Sequence, residues 1–410
     1  MADAVAATDE RLRRLLEETI LPFWYPILSA EDGAFALNHD AAGRWLGPRW
    51  VTLVAHARII WTCARLTECG VRPEFFAAAG ARAVRFLLDR MWDGRHGGFH
   101  WAVTPDGSRP LNADKHIYGQ AFALLGLARH ARVAGDHQAR DAARRLFSVM
   151  DERAHDARHG GYREWFAEDW SEPPANRIGP IGHPAGIKTF NSHLHLMDAM
   201  RELVETTGDA VARSRLIELV LVNSCSVLRK AVGYATEPHR DDWRPLSASA
   251  ETAGPYGHMA ELAWMLPRAA AAAGLQPAIF DDVAGTLLST LLRFGFDQYL
   301  GGVFDSGPIG APVVRRVKNW WTQCEAMAAF LERWQLTGSD RWGEAYLKTL
   351  AWIEDRQVDR VNGEWHSTIG PDGTVKGFKA DQWKCPYHHV RALLVCREML
   401  RGATPATTAA

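Results

Sequence analysis

The chain has 410 residues, of which 47% are hydrophobic, and a formal net charge of −1. That length supports a large core or two or three domains, and without a long run of one sign nothing marks a nucleic-acid or other polyanion partner. Apolar runs such as Ala121 to Ala128 and Leu216 to Val222 fall far short of the ~20 residues a membrane span needs, and Met1 to Arg14 holds no apolar signal core, so a cytoplasmic protein is expected.

A turn of glycine and an aromatic residue recurs along the chain: Asp32-Gly33-Ala34-Phe35, His96-Gly97-Gly98-Phe99, His159-Gly160-Gly161-Tyr162, Val232-Gly233-Tyr234, Leu300-Gly301-Gly302-Val303-Phe304 and Asn362-Gly363-Glu364-Trp365. Each interval, roughly 65 residues, has room for a short hairpin or loop and two helices. The first helix is expected over Asp9 to Leu28. Arg49 to Leu66 and Pro73 to Met91 follow the first turn, with apolar residues at helical spacing. The pattern continues as His116 to Ala134 with His137 to Glu152, Asn191 to Thr206 with Ala210 to Ala231, Tyr256 to Ala273 with Gln276 to Phe294, and Asn319 to Thr337 with Asp340 to Asp355. Tyr387 to Arg401 comes last and takes the N-terminal helix as its partner. Six helical hairpins that return on themselves make an all-α (α/α)6 barrel. A single domain over residues 1–401 is therefore expected, with a disordered tail over 402–410. Strands are expected only as short hairpins at the glycine-aromatic turns, such as Gly98 to Val103 with the turn Pro105-Asp106-Gly107, and Gly363 to Ile369 with Pro371-Asp372-Gly373.

In such a barrel the first helix of each pair lines a funnel. The Pro- and Gly-rich segment Ser171 to Gly186 is a candidate loop over its mouth, and His239 to Pro255 forms a similar loop. The stretch Tyr256-Gly257-His258-Met259-Ala260-Glu261-Leu262-Ala263-Trp264 opens one funnel helix with an imidazole, a carboxylate and an indole at i, i+3 and i+6. Glu261, one turn from His258, would orient that imidazole or set its charge, as a general acid or base near neutral pH requires. Asn191, His195 and Asp198 form one stripe of another funnel helix, with His193 on the opposite side as a structural residue. Arg58, Tyr118, the pair Trp321 and Glu325, and the run from Trp383 to His389 stand near the same end of the remaining funnel helices. Charges gathered there are tolerated only when paired or used.

Seventeen tryptophans exceed what packing alone needs, and indole faces stack on the apolar faces of sugar rings, which points to a carbohydrate pocket. Six cysteines, Cys63, Cys69, Cys225, Cys324, Cys385 and Cys396, form no C-x-x-C pair and suit reduced thiols. His193-x-His195 and His388-His389 offer ligand spacing on paper, but no second carboxylate stands in close register, so no metal is expected. No cofactor is expected either, since no phosphate-binding glycine loop, dinucleotide fingerprint or G-x-S-x-G elbow occurs.

Several segments carry a family resemblance: Leu21-Pro22-Phe23-Trp24, Arg58, Lys115-His116-Ile117-Tyr118-Gly119-Gln120-Ala121-Phe122, Asn191-Ser192-His193-Leu194-His195, Gly257-His258-Met259-Ala260-Glu261, Trp320-Trp321-Thr322-Gln323-Cys324-Glu325-Ala326, Gly363-Glu364-Trp365 and Trp383-Lys384-Cys385-Pro386-Tyr387-His388. Through them the chain resembles the N-acylglucosamine 2-epimerase superfamily, which includes cellobiose and mannose 2-epimerases and mannose isomerases. The resemblance implies an (α/α)6 barrel and metal-free acid–base chemistry at C2 of a reducing sugar, a small-molecule partner, with monomer and homodimer both open. It implies His258 and His388 as the catalytic pair, Glu261 as the partner of His258, and Arg58 near O1 and O2 of the sugar. Asn191, His195 and Glu325 would assist ring opening or proton transfer, and Tyr118, Trp264, Trp321 and Trp383 would hold the ring. One histidine would remove the C2 proton to give an enediolate that Arg58 stabilises. Return of a proton to the opposite face of C2 gives the epimer, and return to C1 gives the ketose. The expected reaction is C2 epimerisation of a glucose- or mannose-type reducing sugar, with aldose–ketose isomerisation as the alternative. An inverting glycoside hydrolase, common on this barrel, would need two carboxylates at the scissile bond. His389 stands where the cellobiose branch commonly carries Asn, a position that would bear on disaccharide use.

Overall fold

The computed structural model describes residues 2–229, 233–246, 253–308 and 310–402. Among them twelve helices appear where the repeat predicts them. Helix α1 covers 2–28, with a wider-pitched turn at Leu15–Ile20. Helix α2 is Leu53–Glu68, and α3 is Pro73–Phe86 continued by Leu87–Met91. Then come α4 (Ile117–Ala134), α5 (His137–Ala154), α6 (Phe190–Thr207) and α7 (Ala210–Leu221, continued by Val222–Ser226). Helix α8 is Tyr256–Ala273, and α9 is Asp281–Thr290 with the flanking turns Pro277–Phe280 and Leu291–Gly295. The last three are α10 (Trp320–Thr337), α11 (Asp340–Trp352, continued by Ile353–Gln357) and α12 (Tyr387–Leu400).

The even-numbered helices form the inner ring of an (α/α)6 barrel, each packed on the next and α12 back on α2. The odd-numbered helices lie outside them, α1 against α12. Sequence explains the layering. Helix α2 is buried at every position from Leu53 to Leu66, so it shows no single apolar stripe, as expected of a helix enclosed by protein. Helix α5 buries only Ala139, Ala142, Ala143, Leu146, Phe147, Met150 and Ala154, one face at helical spacing. Gly126 lets α4 and α2 approach closely, since a Cβ there would lie 2.7 Å from the Ala57 carbonyl oxygen. Inner and outer helices join through the shortest punctuation available: Gly135 and Gly208 end α4 and α6 in the left-handed conformation, and Asp136 and Asp209 immediately cap α5 and α7.

Short antiparallel strands tie each hairpin to the next at the end where the inner helices begin. Val51–Thr52 pairs with Ala102–Val103, Lys115–His116 with Trp165–Phe166, Ile187–Lys188 with His239–Arg240, and Lys318–Asn319 with Thr368–Ile369. The two expected hairpins are present, Ala102–Val103 turning back onto Pro110–Asn112 and Thr368–Ile369 onto Val375–Lys376. This pairing shortens two expected helices. Helix α2 begins at Leu53 rather than Arg49 because Val51 and Thr52 are in a strand, and α7 gives way to Leu228–Arg229, which pairs with Tyr234–Ala235. Residues 403–410 of the expected tail, 247–252 of the second loop, and Val232 lie outside the described residues.

Four of the glycine-aromatic turns share a buried ion pair. Asp93, Asp156, Asp297 and Asp359 each stand four residues before the first glycine and accept from Lys115, Lys188, Lys318 and Lys379 at 2.8, 2.7, 2.9 and 2.7 Å. Lys115, Lys188 and Lys318 sit immediately ahead of an inner helix, so the clip fixes the turn against the start of that helix, while Lys379 lies in the segment leading to α12.

Candidate active site

The N-terminal turns of all six inner helices converge on one cavity of about 340 Å3. Its walls include Arg58 from α2, Tyr118 from α4, Asn191 and His195 from α6, His258 from α8, Trp320 and Trp321 from α10, and His388 from α12. Trp383 precedes α12, while Ile181 and His183 come from the Ser171 to Gly186 loop that the sequence places over the mouth. Six helix N-termini aimed at one space favour negative charge there.

Arg58 is buried, with Nη2 donating to Tyr118 Oη at 2.8 Å and Nη1 to the Trp383 carbonyl at 3.2 Å. Its guanidinium lies 4.1 Å from the Phe122 ring centroid and 5.3 Å from that of Tyr387, an aromatic box that holds the cation in place. Trp321 packs against both histidines, its ring centroid 4.9 Å from His258 and 5.7 Å from His388. The Nε of Arg58, Oδ1 of Asn191 and Nδ1 of His195 are buried without a hydrogen-bond partner, a set of polar atoms that a bound polyol would satisfy.

The two histidines differ in their support. His388 Nδ1 donates to Glu325 Oε1 at 2.7 Å, which leaves Nε2 as a free lone pair. Burial, then Arg58 and Arg391, hold its basicity well below the usual imidazole range, so it stands neutral. Burial alone would lower His258 as well, but Glu237, with Glu261 and Asp305 behind it, raises it instead. Glu237 Oε1 lies 3.5 Å from His258 Nδ1, an ion-pair contact.

Glu261, expected as the partner of His258, turns away from the cavity. It is wholly buried and accepts from Arg391, which also donates to Glu325 Oε1 at 2.8 Å and to Tyr387 Oη at 2.6 Å. Burial and the neighbouring Glu325 raise the Glu261 carboxyl above its ordinary range. Glu325 and Trp264, expected against the substrate, also lie behind the wall, Trp264 Nε1 donating to Glu325 Oε2 at 3.0 Å. The helix explains the difference. At ~100° per residue, Glu261 is rotated by about 60° and Trp264 by about 120° from His258, so the three cannot face one point. His193 is structural as expected, accepting from Tyr162 N at 2.9 Å and donating to Thr189 O at 2.7 Å. Asp198 is held by Arg201 at 2.8 Å. His389 is buried on Glu364 at 3.0 Å and away from the cavity, so it bears on packing rather than on substrate size.

Ligand atoms of His195, His258 and Glu261 lie within 4.8 Å of one another, as do those of Glu261, Glu325 and His388. Arg391 donates to both carboxylates of the second group and so stands where a cation would. The first group shares Glu261 with it, under the field of Arg58 and Arg391 that also depresses His195 after burial.

The model of the N-acylglucosamine 2-epimerase family matches residues 33–392. The chain belongs to that family. Among its relatives, a cellobiose 2-epimerase of Bacteroides fragilis is 27% identical over 395 residues, covering 95% of this chain and 98% of that protein. A D-mannose isomerase of Pseudomonas cannabina pv. alisalensis is 27% identical over 329 residues, 75% of each. The solved structure of a cellobiose 2-epimerase from Spirochaeta thermophila superimposes with a TM-score of 0.86 at 29% identity over 98% of both chains. Within this N-acylglucosamine 2-epimerase family member, sequence reading missed Glu237, Arg391, His183 and Trp320 at or behind the site. His183 sits in the loop already placed over the mouth, and Trp320 in a segment quoted for the resemblance. Glu237 and Arg391 had no local signal, being 21 and 130 residues from His258 and Glu261, respectively. No helix among the described residues is long and apolar enough to cross a membrane.

Proposed function

We propose that this enzyme is a carbohydrate 2-epimerase of the isomerase class, inverting C2 of a glucose- or mannose-type reducing sugar, free or at the reducing end of a disaccharide. The observation that carries the reading is the pair of imidazoles on one cavity in opposite states, His388 neutral with Nε2 free and His258 biased towards its protonated form. After ring opening, His388 Nε2 removes the C2 proton, and the electron pair left on C2 moves into the carbonyl to form an enediolate. Arg58 and the converging helix N-termini stabilise the charge on its oxygens. His258 then gives its proton to the opposite face of C2, and the carbonyl re-forms. Each turnover exchanges the protonation states of the pair, so the reverse reaction uses the same groups in exchanged roles. Asn191 and His195 stand ready to hydrogen-bond the sugar hydroxyls during ring opening. Trp321 and Trp383 offer faces to the ring.

A hydrolytic reading finds no support, because no carboxylate stands among the described residues that line the cavity. The test is incubation with mannose, glucose, cellobiose and N-acetylglucosamine in heavy water, followed by product analysis. The C2 epimer carrying deuterium at C2 is the expected result. Fructose as the main early product from mannose overturns the epimerase reading in favour of the isomerase, and the N-acetylglucosamine arm decides whether an acetamido group at C2 is accepted.

A further inference from the structure

The two catalytic histidines each meet a carboxylate, but the carboxylates are not equivalent. Glu325, under His388, has its charge taken up by Arg391 at 2.8 Å and by the Trp264 indole N–H at 3.0 Å. Glu237, under His258, meets no arginine or lysine within ion-pair distance among the described residues. Its negative charge therefore acts first on the His258 imidazole it contacts, with the His183 imidazole of the mouth loop also in its field. Its other oxygen, Oε2, accepts the backbone N–H of Asn191 at 2.9 Å in the first turn of α6. One carboxylate thus joins the acid of the reaction to the helix end that presents Asn191 and His195 to the sugar.

The placement of Glu237 is as telling as its contacts. It lies between the strands Tyr234–Ala235 and His239–Arg240, and the second of these pairs with Ile187–Lys188, Lys188 opposite His239. Ile187–Lys188 in turn connects the loop bearing Ile181 and His183 to α6. The residue belongs to no helix, which is why helical spacing favoured Glu261.

We infer that Glu237, rather than Glu261, is the positioning residue that keeps His258 in its acid form, and that it thereby decides which histidine starts as the proton donor. The inference rests on the epimerase reading for its consequence in turnover, but the contact between Glu237 and His258 stands apart from it. The other charged groups around His258 are Glu261 on its own helix, Asp305 ahead of α10, and, as repelling cations when protonated, His195 on α6 and His388 on α12. Of these, Glu261 has its charge bound to Arg391, and none of them touches Nδ1.

The deciding experiment compares wild type, Glu237→Gln and Glu237→Asp. Glutamine has the same shape and an oxygen for Asn191 N–H, so it keeps that bond while removing the charge and turning an NH2, not an acceptor, towards His258 Nδ1. In kcat/KM against pH, the alkaline limb reports loss of the proton from the acid. That limb should move down by about one unit in Glu237→Gln, costing about tenfold at alkaline pH relative to the acidic side, and should return towards wild type in Glu237→Asp. A uniform drop at every pH, as from a purely structural role, overturns the inference. The second readout is NMR titration of 13C-histidine-labelled protein, with His258 assigned by its loss in His258→Gln. Its midpoint should lie above the unperturbed ~6.5 in wild type and fall in Glu237→Gln. If Glu237→Gln fails to fold, the wild-type midpoint decides alone: a value at or below ~6.5 overturns the inference. Failure of the epimerase reading is recognised separately, as absence of deuterium at C2 in wild-type product, and leaves the titration result standing.

Discussion

Gly257, beside His258, is occupied to the last ångström by Trp321. A Cβ added there would lie 2.3 Å from both Cη2 and Cζ3 of the indole and 2.9 Å from Thr322 Oγ1. Carbon atoms rest at ~3.5–4.0 Å, so Gly257→Ala forces the ring to move by about 1 Å. The ring has little room to retreat, because it packs against both imidazoles. Overpacking of this kind costs ~1–3 kcal/mol, and the better helix propensity of alanine returns up to ~1 kcal/mol of that. The net destabilisation is at most about 3 kcal/mol, a melting shift of several degrees at most in a chain of this size. Turnover should suffer far more, since a displacement of about 1 Å at the reacting groups costs on the order of 10²-fold. The assay pairs thermal melting with initial rates of C2 epimerisation on the best substrate. A folded Gly257→Ala with wild-type kcat/KM would refute the reasoning, showing that Trp321 neither spaces the histidines nor seats the sugar.

Three further expectations follow from the groups behind the wall. Glu325→Gln removes the charge and one of the two acceptor oxygens that His388, Arg391 and Trp264 share, weakening the hold on the His388 tautomer, and kcat should fall by about 10²-fold or more. Arg391→Met leaves Glu261 and Glu325 facing each other without a cation, so unfolding by urea should show a loss of about 3–5 kcal/mol at neutral pH. At the seam of the ring, Glu364 accepts from Lys384 Nζ and Trp24 Nε1, both at 2.7 Å, and contacts His389. Burial opposes its ionisation, but His389 and Lys384 hold its carboxyl well below the usual range. A depressed carboxyl contributes stability that is full above its unfolded value of ~4.3 and is lost as pH falls towards the folded one. The stability gap between wild type and Glu364→Gln should therefore be open above about pH 4, where protonation of His389 beside Glu364 adds to it, and should shrink as pH drops further, and a gap that stays undiminished at about pH 2 contradicts the assignment.

The barrel was legible because its repeat is written in turn chemistry and helical periodicity, both local properties. The glycine-aromatic turns announced the hairpins; helices were shortened where a two-residue strand displaced a helical turn, as at Val51–Thr52, and the first helix runs on to Ala2, seven residues before the expected start at Asp9. The cavity residues were legible for a related reason: Arg58, Tyr118, Asn191, His195, His258, Trp321 and His388 all sit in the early turns of inner helices, so position along the repeat predicts exposure to the funnel. Pairing was not legible. Spacing along α8 offered Glu261 to His258, but the attraction of Arg391, buried on α12, draws that carboxylate inward, and Glu237 reaches His258 from a strand connection. The aspartates of the turn clips were visible four residues ahead of the glycines, yet an aspartate before a turn reads as a solvated cap until its lysine, 20 to 32 residues on, folds over it.

The join between α1 and α12 ties proton transfer to the completion of the ring. Helix α12 carries both His388 and Arg391, and on its outer side it rests on α1, with Arg397 on Asp9 at 2.9 Å. Helix α1 contributes no side chain among those lining the cavity, yet it packs behind the helix that carries the imidazole proposed as the base. On the proposed reading, closure and chemistry are linked: a barrel opened at this seam would keep five of its inner helices clear of the break, and would loosen the sixth, the one that carries the proposed base.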